Sequence, residues 1–213
     1  MKTSKMLQAS VAAALLSAAT AHATVIDFGA ASVNQLAHID NTLLGLVDVY
    51  YGTSYTEDGF ILTSSLGASS LHALFVADDT NSVIRPAADS YAMGSTARAT
   101  TTLTTADHSA FSITSIDLSK QILLGGSVTF YGAKADNSGV VQQTFSYNGT
   151  WTTYNFNSSF TGLSSVSWKQ GPTLGGKVQW DNINVSAVPE PETYAMLLAG
   201  LGLVGLARRR KQA

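Results

Sequence analysis

Few side chains in this chain are able to do chemistry, and most of them are scattered. His38, His72 and His108 stand alone, without the His-Glu-x-x-His pairing that sets two imidazoles on one helix face for zinc. There is no Gly-x-Ser-x-Gly elbow and no Ser-x-x-Lys pair to activate a serine. Cysteine is absent, which removes thiol nucleophiles, cysteine-ligated zinc and disulfides. Carboxylates that hydrolyse glycosides meet in space, so their spacing in sequence decides nothing. Two other kinds of side chain remain. Asp181 shares strand parity with Ile183 and Val185, so if those two face a core the carboxylate points inward unless a bulge intervenes. Buried there, it requires a partner. Tyr147, Trp151, Tyr154 and Trp168 gather around Asn148-Gly149. A flat ring on a sheet face can stack on the apolar face of a pyranose, and the same ring can fill a core. Alternation sends Trp151 and Tyr154 to opposite faces, so they cannot serve one platform. The oxygen-rich loop Asp78-Asp79-Thr80-Asn81 lacks the spacing and glycine of an EF-hand and reads as a solvated turn.

The elements that must position these residues read as strands. Ser, Thr, Asn and Gly dominate the body, and Lys and Glu are sparse, a composition poor in helix formers and rich in turn formers. Candidate strands run through Val25–Phe28, Asp48–Tyr51 and Phe60–Ser64, with Glu57-Asp58-Gly59 as a turn. Ala30–Leu46 is ambiguous and allows a short helix. Arg98–Thr105, rich in Thr, suits a strand because β-branched side chains fit a pleated surface. Val128 and Phe130 share a face, Lys134–Gly139 is a polar turn, and Val141, Gln143, Phe145 and Tyr147 share the next face. Asn148-Gly149 is the strongest two-residue hairpin signal in the chain. Beyond it come Trp151–Phe156, Val166–Trp168 and Val178–Val185. Strands spaced about ten residues apart predict an all-β, antiparallel two-sheet sandwich, with a jelly roll as the expected topology. No repeat of 20 to 50 residues suggests a propeller or solenoid.

Both ends are of another kind. Lys2 and Lys5 precede the apolar Met6–Ala19, and Ala21-His22-Ala23 is a small-x-small cleavage site, which predicts a signal-peptide helix over 1–23 and a mature start at Thr24. Pro189, Glu190 and Pro191 lead into the uncharged run Thr193–Ala207, closed by Arg208, Arg209, Arg210 and Lys211. Such a run rests in a bilayer with its cations cytoplasmic and the body outside. At 15 residues it falls short of the roughly 20 that span comfortably, so the expected transmembrane helix 193–207 is a provisional anchor.

Residues 24–187 between these ends suffice for one domain with its own core. The chain's net charge of −2 conceals an asymmetry. Six of the twelve basic residues and two of the fourteen acids belong to the ends, so the body carries about −6. That charge repels nucleic acid.

The order Val-Pro-Glu-Pro, Thr193, Ala195–Gly202 and Arg208-Arg209-Arg210 resembles the PEP-CTERM sorting signal of Gram-negative bacteria that make extracellular polysaccharide. The resemblance implies that 188–213 is a sorting segment. Its partners are then signal peptidase and exosortase, with an inner-membrane intermediate before delivery to the cell surface or extracellular matrix. The body, through Phe111–Leu118, Val128–Gly132 and Trp180–Val185, is similar to carbohydrate-binding and galactose-binding-like sandwich domains. That resemblance implies a structural Ca²⁺ held by Asp181 with Asp27, although two carboxylates fall short of the six to eight oxygens calcium takes. The alternative is that Asp181 accepts backbone N–H bonds at a strand end. No cofactor is required. The expected function is a noncatalytic structural or adhesive protein associated with exopolysaccharide in a biofilm. A specific carbohydrate-binding module and a secreted glycan-active enzyme are the alternatives.

Overall fold

The computed structural model describes residues 23–29, 36–41, 47–66, 73–77, 91–121, 124–172, 176–187 and 200. Ala23–Ala187 is one compact unit. The expected signal-peptide and transmembrane helices, and the loop 78–81, lie outside the described residues. Among the described residues no helix is long and apolar enough to cross a membrane.

Fourteen strands account for the regular structure of the described body: β1 (Ala23–Ile26), β2 (Ala37–Asn41), β3 (Val47–Gly52), β4 (Ser54–Glu57), β5 (Phe60–Ser64), β6 (Leu74–Ala77), β7 (Ala92–Ser95), β8 (Thr100–Thr105), β9 (Phe111–Lys120), β10 (Gly126–Lys134), β11 (Val140–Tyr147), β12 (Thr152–Asn155), β13 (Leu163–Lys169) and β14 (Val178–Ala187). The body is thus all-β, and all its strand pairs are antiparallel. Residues 37–41 form a strand where the sequence allowed a helix, because β3 offers them a full ladder.

The ladder is continuous but resolves into two layers. Sheet I has the order β4-β5-β8-β13-β10-β11, and sheet II the order β2-β3-β6-β7-β14-β9-β12, with β1 beside β7 on β14. A single bridge, Leu163 with Phe111, joins them. The layers face each other across a shared core, since Phe60 of sheet I meets Phe111 of sheet II at 5.5 Å and Trp168 meets Trp180 at 5.1 Å between ring centroids. In sheet I, β8 is buried on one face and wetted on the other, with Thr101, Leu103 and Thr105 buried, whereas β6 and β7 of sheet II are buried throughout.

Two sequence expectations change for physical reasons. Asn148-Gly149 does not close a hairpin: β11 pairs with β10, and β12 crosses to pair with β9 in the other sheet. The crossing lets Tyr154 and Phe156 pack on Phe145 from the opposite layer, at 5.0 and 5.1 Å, which side-by-side pairing forbids. Asn148 shapes the corner by accepting the Thr150 N–H on its side chain and the Lys120 N–H on its carbonyl. Asp181, in turn, does not share a face with Ile183. Asn182 sits at φ 46°, and the register slips between Asp181 and Asn184, which is a bulge that flips parity. Trp180 faces the core, so Asp181 lies on the outer side of sheet II.

Candidate functional site

Sheet I turns an unusual face outward. Because Tyr55, Leu62, Leu103, Phe130 and Trp168 are buried between the sheets, their strand neighbours point away from the core. Ladder registers align five of those neighbours, with Gln142 of β11, in one row: Gln142, Tyr131, Ser167, Thr102, Thr63 and Ser54. A second row holds the hydroxyls of Thr129 and Thr144, 2.8 Å apart. A third places Val140, 66% exposed, opposite Ala133. The outward strand positions of sheet I carry no carboxylate and one cation, Lys169. Within a body of about −6 this face is close to neutral. Tyr131, 44% exposed, is its one aromatic ring.

The four aromatics singled out by sequence are placed differently from one another. Trp168 is 1% exposed and packs on Trp180 at 89°. Tyr147 is buried, with its hydroxyl donating to the Gly176 carbonyl and its own ionisation pushed up to about 12 by burial. Tyr154 is half-buried against Phe145 and donates to the Ser146 carbonyl. Trp151 is half-buried beyond the Asn148-Gly149 corner. The fold therefore brings Tyr147, Tyr154 and Trp168 to the aromatic interior and does not assemble the four into one surface. Tyr131 escaped the sequence reading, although the alternation that puts Val128 and Phe130 inward already sends it outward.

The two aspartates considered for calcium occupy different surroundings. Asp27 is exposed and accepts the Gly29 N–H at 2.9 Å, while Asp181 is 1% exposed and accepts the Asn182 N–H at 2.7 Å. Asp117, opposite Asp181 in the ladder, is held by Thr153 and by the Asn182 amide. Asp27 instead faces Glu57. Burial is the main cause that pushes the Glu57 carboxyl up to about 7; bonds from the Tyr55 hydroxyl and Phe28 N–H pull it down, and Asp27 pushes it up by hydrogen bond and charge. Next to this pair Thr24 donates to Asp58 at 2.6 Å, tying β1 to the β4–β5 turn. No cluster of three or more His, Asp or Glu able to hold a metal occurs among the described residues.

The remaining predicted residues flank the body. Ala23 lies in β1 opposite Ser186, so the body's first and last strands run side by side. Ala21, Pro189, Glu190, Pro191, Arg208, Arg209 and Arg210 lie outside the described residues.

Residues 187–211 match the PEP-CTERM protein-sorting motif. The motif marks the chain as secreted and processed by exosortase, and it begins where β14 ends. No curated protein matches the chain. Solved structures similar to it include a family 29 carbohydrate-binding module from Piromyces equi, at 10% identity and TM-score 0.42, covering 80% of this chain and 93% of that one. Another is a mutant of a family 29 module complexed with mannohexaose, at 11% identity and TM-score 0.42, covering 79% and 93%.

Proposed function

We propose that the mature protein is a noncatalytic component of the cell surface or extracellular matrix, structural or adhesive in role and associated with exopolysaccharide in a biofilm. It reaches that place through signal peptidase, an inner-membrane intermediate and exosortase. The observation that carries the reading is the near-neutral, hydroxyl-rich outer face of sheet I, on a body sorted by the PEP-CTERM motif. Short Ser and Thr side chains lose little rotamer entropy on contact, and a face without carboxylates adds no charge to desolvate. The strand orders β7-β14-β9-β12 and β8-β13-β10-β11 support reading the core of the sandwich as a jelly roll.

The exposed Tyr131 ring favours the second reading, a specific carbohydrate-binding module. Saturable binding to one glycan separates it from a matrix component that coats polysaccharide without saturating. The test of the main reading is co-fractionation of the processed chain with native-host exopolysaccharide, with the C-terminus read by mass spectrometry. A product still ending in Arg208–Ala213, or one absent from the polysaccharide fraction, overturns it.

A further inference from the structure

We infer that Tyr131 is the stacking platform of a binding site for a neutral pyranose polymer on the outer face of sheet I. The inference rests on the association with exopolysaccharide proposed above and names its site and ligand class.

Tyr131 stands on β10, one strand in from the β11 edge of the sheet, between Gln142 on β11 and Ser167 on β13. Along its own strand the outward neighbours are Thr129 and Ala133. All four have smaller side chains than Tyr131, which leaves its ring 44% exposed. An exposed aromatic on a face made mostly of Ser and Thr costs solvation and serves no core. Around it the polar groups suit sugar hydroxyls. Gln142 offers an amide donor and acceptor, Ser167 a hydroxyl, and the Thr129–Thr144 pair is already ordered by its own bond at 2.8 Å. Groups fixed before binding lose little on binding.

Charge selects the class of polymer. An acidic chain laid on this body meets a field of about −6 with only Lys169 on the face to offset it. A cationic chain is drawn instead to the carboxylates at the turns, Asp58, Asp107 and Asp136, which lie off the face. A neutral chain meets neither penalty. Its pyranose rings bring an apolar face to Tyr131 and equatorial hydroxyls to the surrounding Ser, Thr and Gln.

The experiment uses the mature chain and native-host exopolysaccharide split by anion exchange into neutral and acidic fractions, with affinity electrophoresis as the readout. The wild-type chain should be retarded by the neutral fraction. Tyr131→Ala should weaken that binding about tenfold or more, roughly the loss of one stacked ring, while Tyr131→Phe keeps it. Ser167→Glu, which sets a charge beside the ring, should also abolish retardation, and both variants should keep the wild-type melting temperature. Undiminished binding by Tyr131→Ala and Ser167→Glu overturns the site while leaving the association with exopolysaccharide standing. Retardation by the acidic fraction alone overturns the ligand class. A wild-type dimer that Tyr131→Ala converts to a monomer in sedimentation makes the face a contact between copies and overturns the proposal. No binding of the wild-type chain to either fraction overturns the association itself.

Discussion

Trp168 and Trp180 meet edge to face across the sandwich, with ring centroids 5.1 Å apart and planes at 89°. One belongs to β13 and the other to β14, so the contact fastens sheet I to sheet II where both rings are almost wholly buried. Neither indole N–H has a hydrogen-bond partner. The pair therefore acts by packing alone.

Replacing either ring by Ala should cost about 3–5 kcal/mol, the range for deleting a large buried aromatic. Phe in place of Trp180 should cost about 1–2 kcal/mol, because the N–H it removes is unpartnered and only contact area is lost. Urea denaturation of the isolated body measures both. Equal losses for Ala and Phe would contradict the assignment.

Gln170 closes one end of the core. Its amide donates to the Ser95 and Val178 carbonyls and its oxygen accepts the Gly171 and Val178 N–H groups. Ala at this position leaves those buried backbone groups unsatisfied, a loss of about 2–4 kcal/mol. Glu should not rescue it, since a carboxylate has no N–H for the two carbonyls. Chemical denaturation of the two variants should find both well below wild type.

Asn182 carries the bulge that turns Asp181 outward. At φ 46° its backbone is left-handed, and its side-chain amide donates to Asp117 at 2.9 Å. Gly keeps the backbone and forfeits the bond, for about 1 kcal/mol. Val adds a β-branched side chain in that region and should cost about 1–2 kcal/mol more. Thermal melts that rank Val above Gly would refute the bulge.

Glu57 makes stability depend on pH. Its folded value of about 7 exceeds the ordinary 4.5, so between these limits the folded state holds a proton that the unfolded chain has released. The contribution of Glu57 to stability should therefore be full below about pH 4.5 and be lost as pH rises through about 7. Glu57→Gln keeps a neutral group between Asp27, Tyr55 and the Phe28 N–H, and should flatten that decline. Melting temperatures from pH 4.5 to 8 for both chains provide the check, and parallel curves would sink the idea.

How much of this was legible beforehand differs residue by residue. Phe111, Ile113, Ile116 and Leu118 in β9, and Val178, Trp180, Ile183 and Val185 in β14, are spaced two, three, two. Reading that three-residue step as a bulge in each strand would have found the parity flip before Asp181 was assigned a face. Tyr131 was equally visible by alternation with Phe130. The Glu57–Asp27 contact was not, because 30 residues separate them and only the docking of β1 on the β4–β5 turn brings them together.

The chain's own letters determined the C-terminal sorting motif, the absence of thiol chemistry, the net charge of the body and its commitment to strands, because composition, charge order and period-two alternation are local properties. Pairing was decided only in three dimensions. Asn148-Gly149 carries the strongest local hairpin signal, yet β12 joins β9, since burying Tyr154 and Phe156 against Phe145 outweighs the proximity of consecutive strands. Strand partners are chosen by the core they jointly bury, and that core is contributed by residues far apart along the chain.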